Sequence, residues 1–265
     1  MSEPPVATER HDHVTLVELR RPPHNFVDHE MLAAVADAVE AADADPACRA
    51  VVVAAAGTAF CAGVNFGAAA AEGDGGPGAA GAAFRGAAER FYEQATRLFR
   101  VSVPLVAAVH GAAVGGGLGL ALACDLRVAC PEARLAANFV RLGIHPGFGL
   151  SVTLPELVGP SRAADLLLTG RRVGGEEARS MGLVDRCVAR DDVRAEALRL
   201  AAEIAAAAPL AVVAVRATLR RGLADRVEAA LTRELDEQAR LAATDDAREG
   251  IEAVFGRREP AFRGR

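Results

Sequence analysis

The chain has 265 residues, 51% of them hydrophobic, and a net charge of −5. That length fits one large domain or a domain with an appendage; no apolar run spans a bilayer, and a mildly acidic chain without basic blocks is a poor partner for nucleic acid. All thirty basic residues are arginine, which excludes Schiff-base catalysis, covalent pyridoxal phosphate and a Walker lysine.

The N-terminal MSEPPVATERHDH is polar and has no signal-peptide core. Five cysteines (Cys48, Cys61, Cys124, Cys130, Cys187) are odd in number and lack CxxC spacing, as expected of buried thiols in a reducing cytoplasm. His13–Arg20 alternates as a strand. Asp28 is placed to cap a helix to about Asp43, with Met31, Leu32, Val35 and Val39 on one face. Ala50–Ala55 is a buried strand, and Thr58–Phe66 a glycine-containing loop after it. Residues 68–83, rich in alanine and glycine, read as a mobile loop, and a helix is expected over about Ala87–Val101.

The centre of the chain, LVAAVHGAAVGGGLGLALACDLRVA at 105–129, runs from an apolar strand through Gly115, Gly116 and Gly117 into a short helix ending near Cys124. A second apolar run covers Leu126–Ala129. The first N–H groups of a helix have no intrahelical partner, and glycine removes the Cβ atoms that keep a ligand away from them. Such a loop suits a phosphate or a carbonyl oxygen gaining negative charge, and equally a tight turn that needs glycine for packing. Beyond it a strand is expected near Arg134–Ala137, a glycine-rich loop at Phe139–Gly149, and helices at Ser151–Val158, Ser161–Thr169 and Glu176–Met181. A last strand is expected at Val184–Val188, with helix from Asp191 to Phe255. Strand–helix units thus precede an all-helical tail that must pack on the core or on another subunit.

Seven segments in register resemble the enoyl-CoA hydratase/isomerase (crotonase) superfamily: RPPHNF at 21–26, AFCAGVNF at 59–66, AAVHGAAVGGG at 107–117, ACDLRVA at 123–129, LGIHPGFGLSVTLPELVG at 142–159, LLLTGRRVGGEEARSMGLVD at 167–185 and EGIEAVFGRREPAFRGR at 249–265. The resemblance implies a crotonase-like α/β fold. Its ββα superhelix would occupy residues 1–205, with a helical trimerisation region at 206–265, assembled as a homotrimer or hexamer. It implies an acyl-CoA thioester substrate, with coenzyme A entering as part of the substrate and no separate cofactor or metal. Two backbone N–H groups, of Val64 and Gly116, would hold the thioester oxygen as it becomes an enolate. Such aimed donors stabilise a transition state by roughly 3–4 kcal/mol each. His24, Phe26, Cys61, Ala62, Gly63, Asn65, Gly115 and Phe139 would line the substrate and CoA site. Arg21, Arg257, Arg258 and Arg263 would meet phosphates.

The family's acids are missing. Hydratases of the family place glutamates where this chain has Gly119 and Phe139, and isomerases often place an acid where it has Gly147. Hydration needs a base for water and an acid for the α-carbon, and these residues supply neither. His145 in the GIHPG loop can replace them, because imidazole titrates near neutrality. Glu72 and Asp74 are further acids, Asn65 can only hydrogen-bond, and His110 and Cys61 read as structural. The expected function is an acyl-CoA enzyme, lyase or isomerase, working through an enolate without the usual glutamate pair. The alternative is an acyl-CoA-binding protein that has lost the chemistry.

Overall fold

The computed structural model describes residues 4–64 and 77–265, with backbone alone over 77–84. Nine strands and ten helices are described. The strands are β1 (Val6–His11), β2 (Val14–Leu19), β3 (Ala50–Ala55), β4 (Leu105–Val109), β5 (Ala112–Val114), β6 (Leu126–Ala129), β7 (Arg134–Ala136), β8 (Arg172–Val173) and β9 (Arg186–Cys187). The helices are α1 (His29–Asp43), α2 (Pro77–Arg100), α3 (Gly116–Ala123), α4 (Leu150–Val158), α5 (Pro160–Thr169), α6 (Gly175–Ser180), α7 (Val193–Ala205), α8 (Pro209–Leu219), α9 (Leu223–Ala242) and α10 (Asp245–Phe255).

Continuous apolar runs make the central strands. Every residue of β2, β3 and β4 is buried, the signature of strands covered on both faces. They form a six-stranded sheet in the order β1-β2-β3-β4-β6-β9. All its pairings are parallel except the β1/β2 hairpin. A smaller sheet has the order β5-β7-β8. Helix α1 starts where expected: Asp28 is extended and its carboxylate accepts from the Met31 N–H at 2.8 Å. Its buried stripe is Met31, Leu32, Val35, Ala36, Val39 and Ala42. Helix α7 packs on β2, β3, β4 and β6, and α9 packs on α2 and α4.

Several expectations need correction. The polar N-terminus is strand β1, an edge strand with Glu9 and Arg10 exposed. Helix α2 begins at Pro77, inside the segment expected to be a loop; the rest of that segment lies outside the described residues. Strand β9 covers only two of the five residues expected, and β5 and β8 were not anticipated. Cys61, Cys124 and Cys130 are buried, whereas Cys48 and Cys187 are only partly so.

Candidate active site

The two glycine loops meet. Strand β4 turns at Gly111 into β5, which delivers Gly115 to the start of α3. The loop after β3 runs alongside β5: the Cys61 N–H donates to the Ala112 carbonyl at 2.9 Å, and the Val114 N–H to the Cys61 carbonyl at 3.1 Å. Gly63 has φ +91°, a conformation glycine adopts without steric cost. A Cβ there would stand 2.7 Å from the Val114 carbonyl oxygen and 3.9 Å from the Gly116 nitrogen. At Gly117 a Cβ would lie 2.8 Å from the Cys61 carbonyl carbon. Glycine at 63 and 117 is thus what lets the loops touch.

That contact fixes the neighbouring N–H groups. The Gly115 N–H is consumed by the Ala136 carbonyl at 2.9 Å, and the Ala62 N–H by the His24 carbonyl at 3.0 Å. Among the described residues, the N–H groups of Val64 and Gly116 donate to nothing. Val64 Cγ2 lies 3.9 Å from the position of a Cβ on Gly116, so the free donors stand on facing loops. The Gly63 carbonyl accepts from Val27 N–H at 2.9 Å, which ties in the segment that carries His24 and Phe26. The His24 and Phe26 rings meet edge to face with centroids 5.6 Å apart, and both residues are exposed.

Of the three positions without acids, two are filled by neighbouring side chains and the third by its own phenylalanine. A Cβ on Gly119 would lie 2.5 Å from Phe148 Cβ and 2.7 Å from its Cδ1. A Cβ on Gly147 would collide with the Tyr92 hydroxyl and stand 2.6 Å from Gln238 Nε2. Phe139 is buried, its ring edge 3.6 Å from the Cβ position of Gly115. His145 is half-buried and its Nδ1 is 2.7 Å from the Pro146 carbonyl. A carbonyl only accepts, so Nδ1 is the donor in that contact.

The polar surroundings come from the helical tail, and the sequence reading missed them. Glu234 on α9 is 1% exposed and accepts from the N–H groups of Gly149 (2.9 Å) and Ser151 (3.1 Å) and from the Ser151 hydroxyl (2.5 Å). Burial raises its pKa above the ordinary carboxylate value, and the loop donors only partly offset this. Gln238, one turn on, donates to the His145 carbonyl at 2.9 Å and accepts from the Tyr92 hydroxyl at 3.0 Å. Burial, then the Glu234 charge, pushes the Tyr92 phenol upward, which keeps it neutral. Polar residues at helical spacing in the tail were the one available signal.

Other expected site residues are placed as follows. Cys61 is fully buried and burial pushes its thiol up to about 12, which removes it as a nucleophile. His110 Nε2 lies 3.1 Å from the Gly57 carbonyl, a strand-end role, and burial lowers its pKa. Arg21 is held by Asp28 and Glu30 at 2.5 Å each, and Arg258 by Glu249, so neither is free for a phosphate. Arg257 is exposed at φ +50°. Asn65, Glu72 and Asp74 lie outside the described residues. No group of three or more His, Cys, Asp or Glu that could hold a metal ion occurs among the described residues.

A family model for enoyl-CoA hydratase/isomerase matches residues 9–265, so the chain belongs to that family, within the crotonase superfamily. A Mycobacterium tuberculosis protein named as a probable enoyl-CoA hydratase, EchA14, is 40% identical over 82% of this chain and 81% of its own length. The crotonyl-CoA hydratase of Syntrophomonas wolfei is 31% identical over 97% of both chains. The crystal structure of an enoyl-CoA hydratase/isomerase from Pseudoalteromonas atlantica T6c superposes with a TM-score of 0.84 at 31% identity, covering 98% of this chain and all of that one. The mixed α/β architecture with its helical C-terminal region is the crotonase fold.

Proposed function

We propose that the protein binds an acyl-CoA thioester and stabilises its enolate between the N–H groups of Val64 and Gly116. The observation that supports this reading is the meeting of the two loops through Gly63 and Gly117, with no acceptor for the Val64 and Gly116 N–H groups among the described residues. Negative charge on the thioester oxygen is held there without reorganisation. Coenzyme A would lie along Ala62, Gly63 and the exposed His24–Phe26 pair, with Arg257 free for a phosphate.

We assign proton transfer to His145, the imidazole of the loop that also carries Phe148. One imidazole can take a proton from the γ-carbon of an enoyl thioester or its α-carbon and return it to the other, so the double bond moves and nothing is consumed. Hydration adds a water, with one proton leaving it and one reaching the α-carbon, and is best served by two groups. Isomerisation is therefore the reaction this site is best equipped for. The packing of Phe139, Phe148 and Tyr92 where the family has acids favours a second reading, a protein that binds acyl-CoA without turning it over.

One assay separates the readings. Vinylacetyl-CoA and crotonyl-CoA are each mixed with the protein, and the absorbance of the conjugated thioester is followed beside a binding titration. Isomerisation raises the signal from vinylacetyl-CoA, and hydration lowers that from crotonyl-CoA. Binding with neither change favours the second reading, and absence of binding rejects both. Gly116→Pro removes one donor at the first helical position, where proline is tolerated; it is expected to lower turnover by about 10²–10³-fold with binding of free CoA retained. Gly116→Ala, whose Cβ meets only ordinary contacts, keeps the N–H and should remain active.

The same reading extends to assembly. Helix α8 exposes Leu210, Val215 and Leu219, and a cavity of about 700 Å³ lies between it and the core. Further copies of this chain, as a homotrimer or hexamer, would cover that face.

A further inference from the structure

The wall of the site that continues from Gly116 is aromatic. Gly116 and Gly119 are three residues apart on α3 and share a face. Phe91 Cζ lies 3.7 Å from where a Cβ on Gly116 would stand, and the Phe148 ring fills the corresponding position on Gly119. The two rings meet edge to face with centroids 5.9 Å apart. Tyr92 closes the row, 5.3 Å from Phe91 and 6.5 Å from Phe148.

Phe148 is buried and has φ +61°, which a bulky residue keeps only where its surroundings determine it. Both sides of it are fastened. Gln238 holds the His145 carbonyl and the Tyr92 hydroxyl, while Glu234 holds the N–H groups of Gly149 and Ser151. The backbone that carries the ring therefore cannot shift without breaking buried hydrogen bonds.

We propose that Phe148 sets the acyl selectivity of the site, restricting it to thioesters that carry no branch beside the carbonyl. This rests on the acyl-CoA reading above. A thioester oxygen held at Gly116 places its α-carbon against the Phe91–Phe148 wall, and a methyl branch there needs the volume that the Phe148 ring occupies. A single methyl group changes selection in an apolar pocket by about 10–200-fold.

Calorimetric binding of free CoA, crotonyl-CoA and tigloyl-CoA (crotonyl-CoA with a methyl on the α-carbon) tests this on the intact protein, Phe148→Ala and Phe148→Leu. The wild type is expected to prefer crotonyl-CoA by about tenfold or more. Phe148→Ala should bring that ratio close to one with affinity for free CoA unchanged, and Phe148→Leu should fall between. Should the alanine variant fail to fold, lost CoA binding reveals it and the leucine variant decides. Equal affinity of the wild type for the two enoyl thioesters, or a ratio unmoved in the folded variants, overturns the proposal. If the wild type binds none of the three, the acyl-CoA reading falls and takes this inference with it.

Discussion

Position 119 has a hydrogen where a ring presses in from the other side. A glutamate placed there must displace Phe148, and overpacking of this kind costs about 1–3 kcal/mol. Gly119→Glu is therefore expected to lower the melting temperature, and adding Phe148→Gly should recover part of the loss. The two substitutions couple because they contend for one volume. Strictly additive melting shifts would show that they do not. His110 gives a second test at this scale. Its folded pKa lies below 6.5 because burial disfavours the cation, so the unfolded chain binds the proton more readily. Stability should then fall as pH drops below about 6.5, and the drop should shrink in His110→Asn when urea midpoints are compared at pH 7.5 and 5.5. That Gly119, Phe139 and Gly147 carry no acid is plain in the sequence. What packs against the two glycines was not legible, because Phe148, Tyr92 and Gln238 come from segments far apart in the chain and no local pattern encodes their meeting.

Helix α8 shows how little can hold an element. Arg216 is its only buried residue. Asp125 accepts from Arg216 Nε at 2.8 Å and from Arg220 Nη1 at 2.7 Å, and Arg216 also donates to the Val101 carbonyl. One carboxylate thus serves two guanidinium groups at the C-terminal end of α3. Asp125→Ala leaves the buried Arg216 and the half-buried Arg220 without a counter-charge, at a cost of about 3–5 kcal/mol. Amide exchange should quicken in α8 before it does in β2 or β3; uniform quickening would mean that Asp125 braces the whole core instead. Element by element, long apolar runs and the Asp28 cap were readable because they carry their own periodicity. The edge strand β1 alternates weakly, and β8 and β9 have two residues each, too few for any period. The start of α2 hides in alanine and glycine, which score alike for loop and for helix.

For the molecule as a whole, the apolar face of α8 sets the prediction. Leu210 and Leu219 are 85% and 81% exposed, more than a chain that works alone commonly leaves on one helix. Leu219→Asp should convert an oligomer into smaller species by light scattering after size exclusion, with the far-ultraviolet dichroism retained. A wild type that elutes as a monomer would remove the assembly reading and leave the acyl-CoA reading untouched.

The bonds from Glu234 to Gly149 and Ser151 span 85 and 83 residues of chain, which bears on biosynthesis. A nascent chain can lay down β1 to β7 and α3 while the ribosome is still reading the tail. Its loop at 145–151 then has no partner for those N–H groups, and Phe148 has only the rings of α2 to pack on. The donor loops would exist before the wall beside them does. On the acyl selectivity proposed for Phe148, discrimination would arrive last, once α9 has left the exit tunnel and docked.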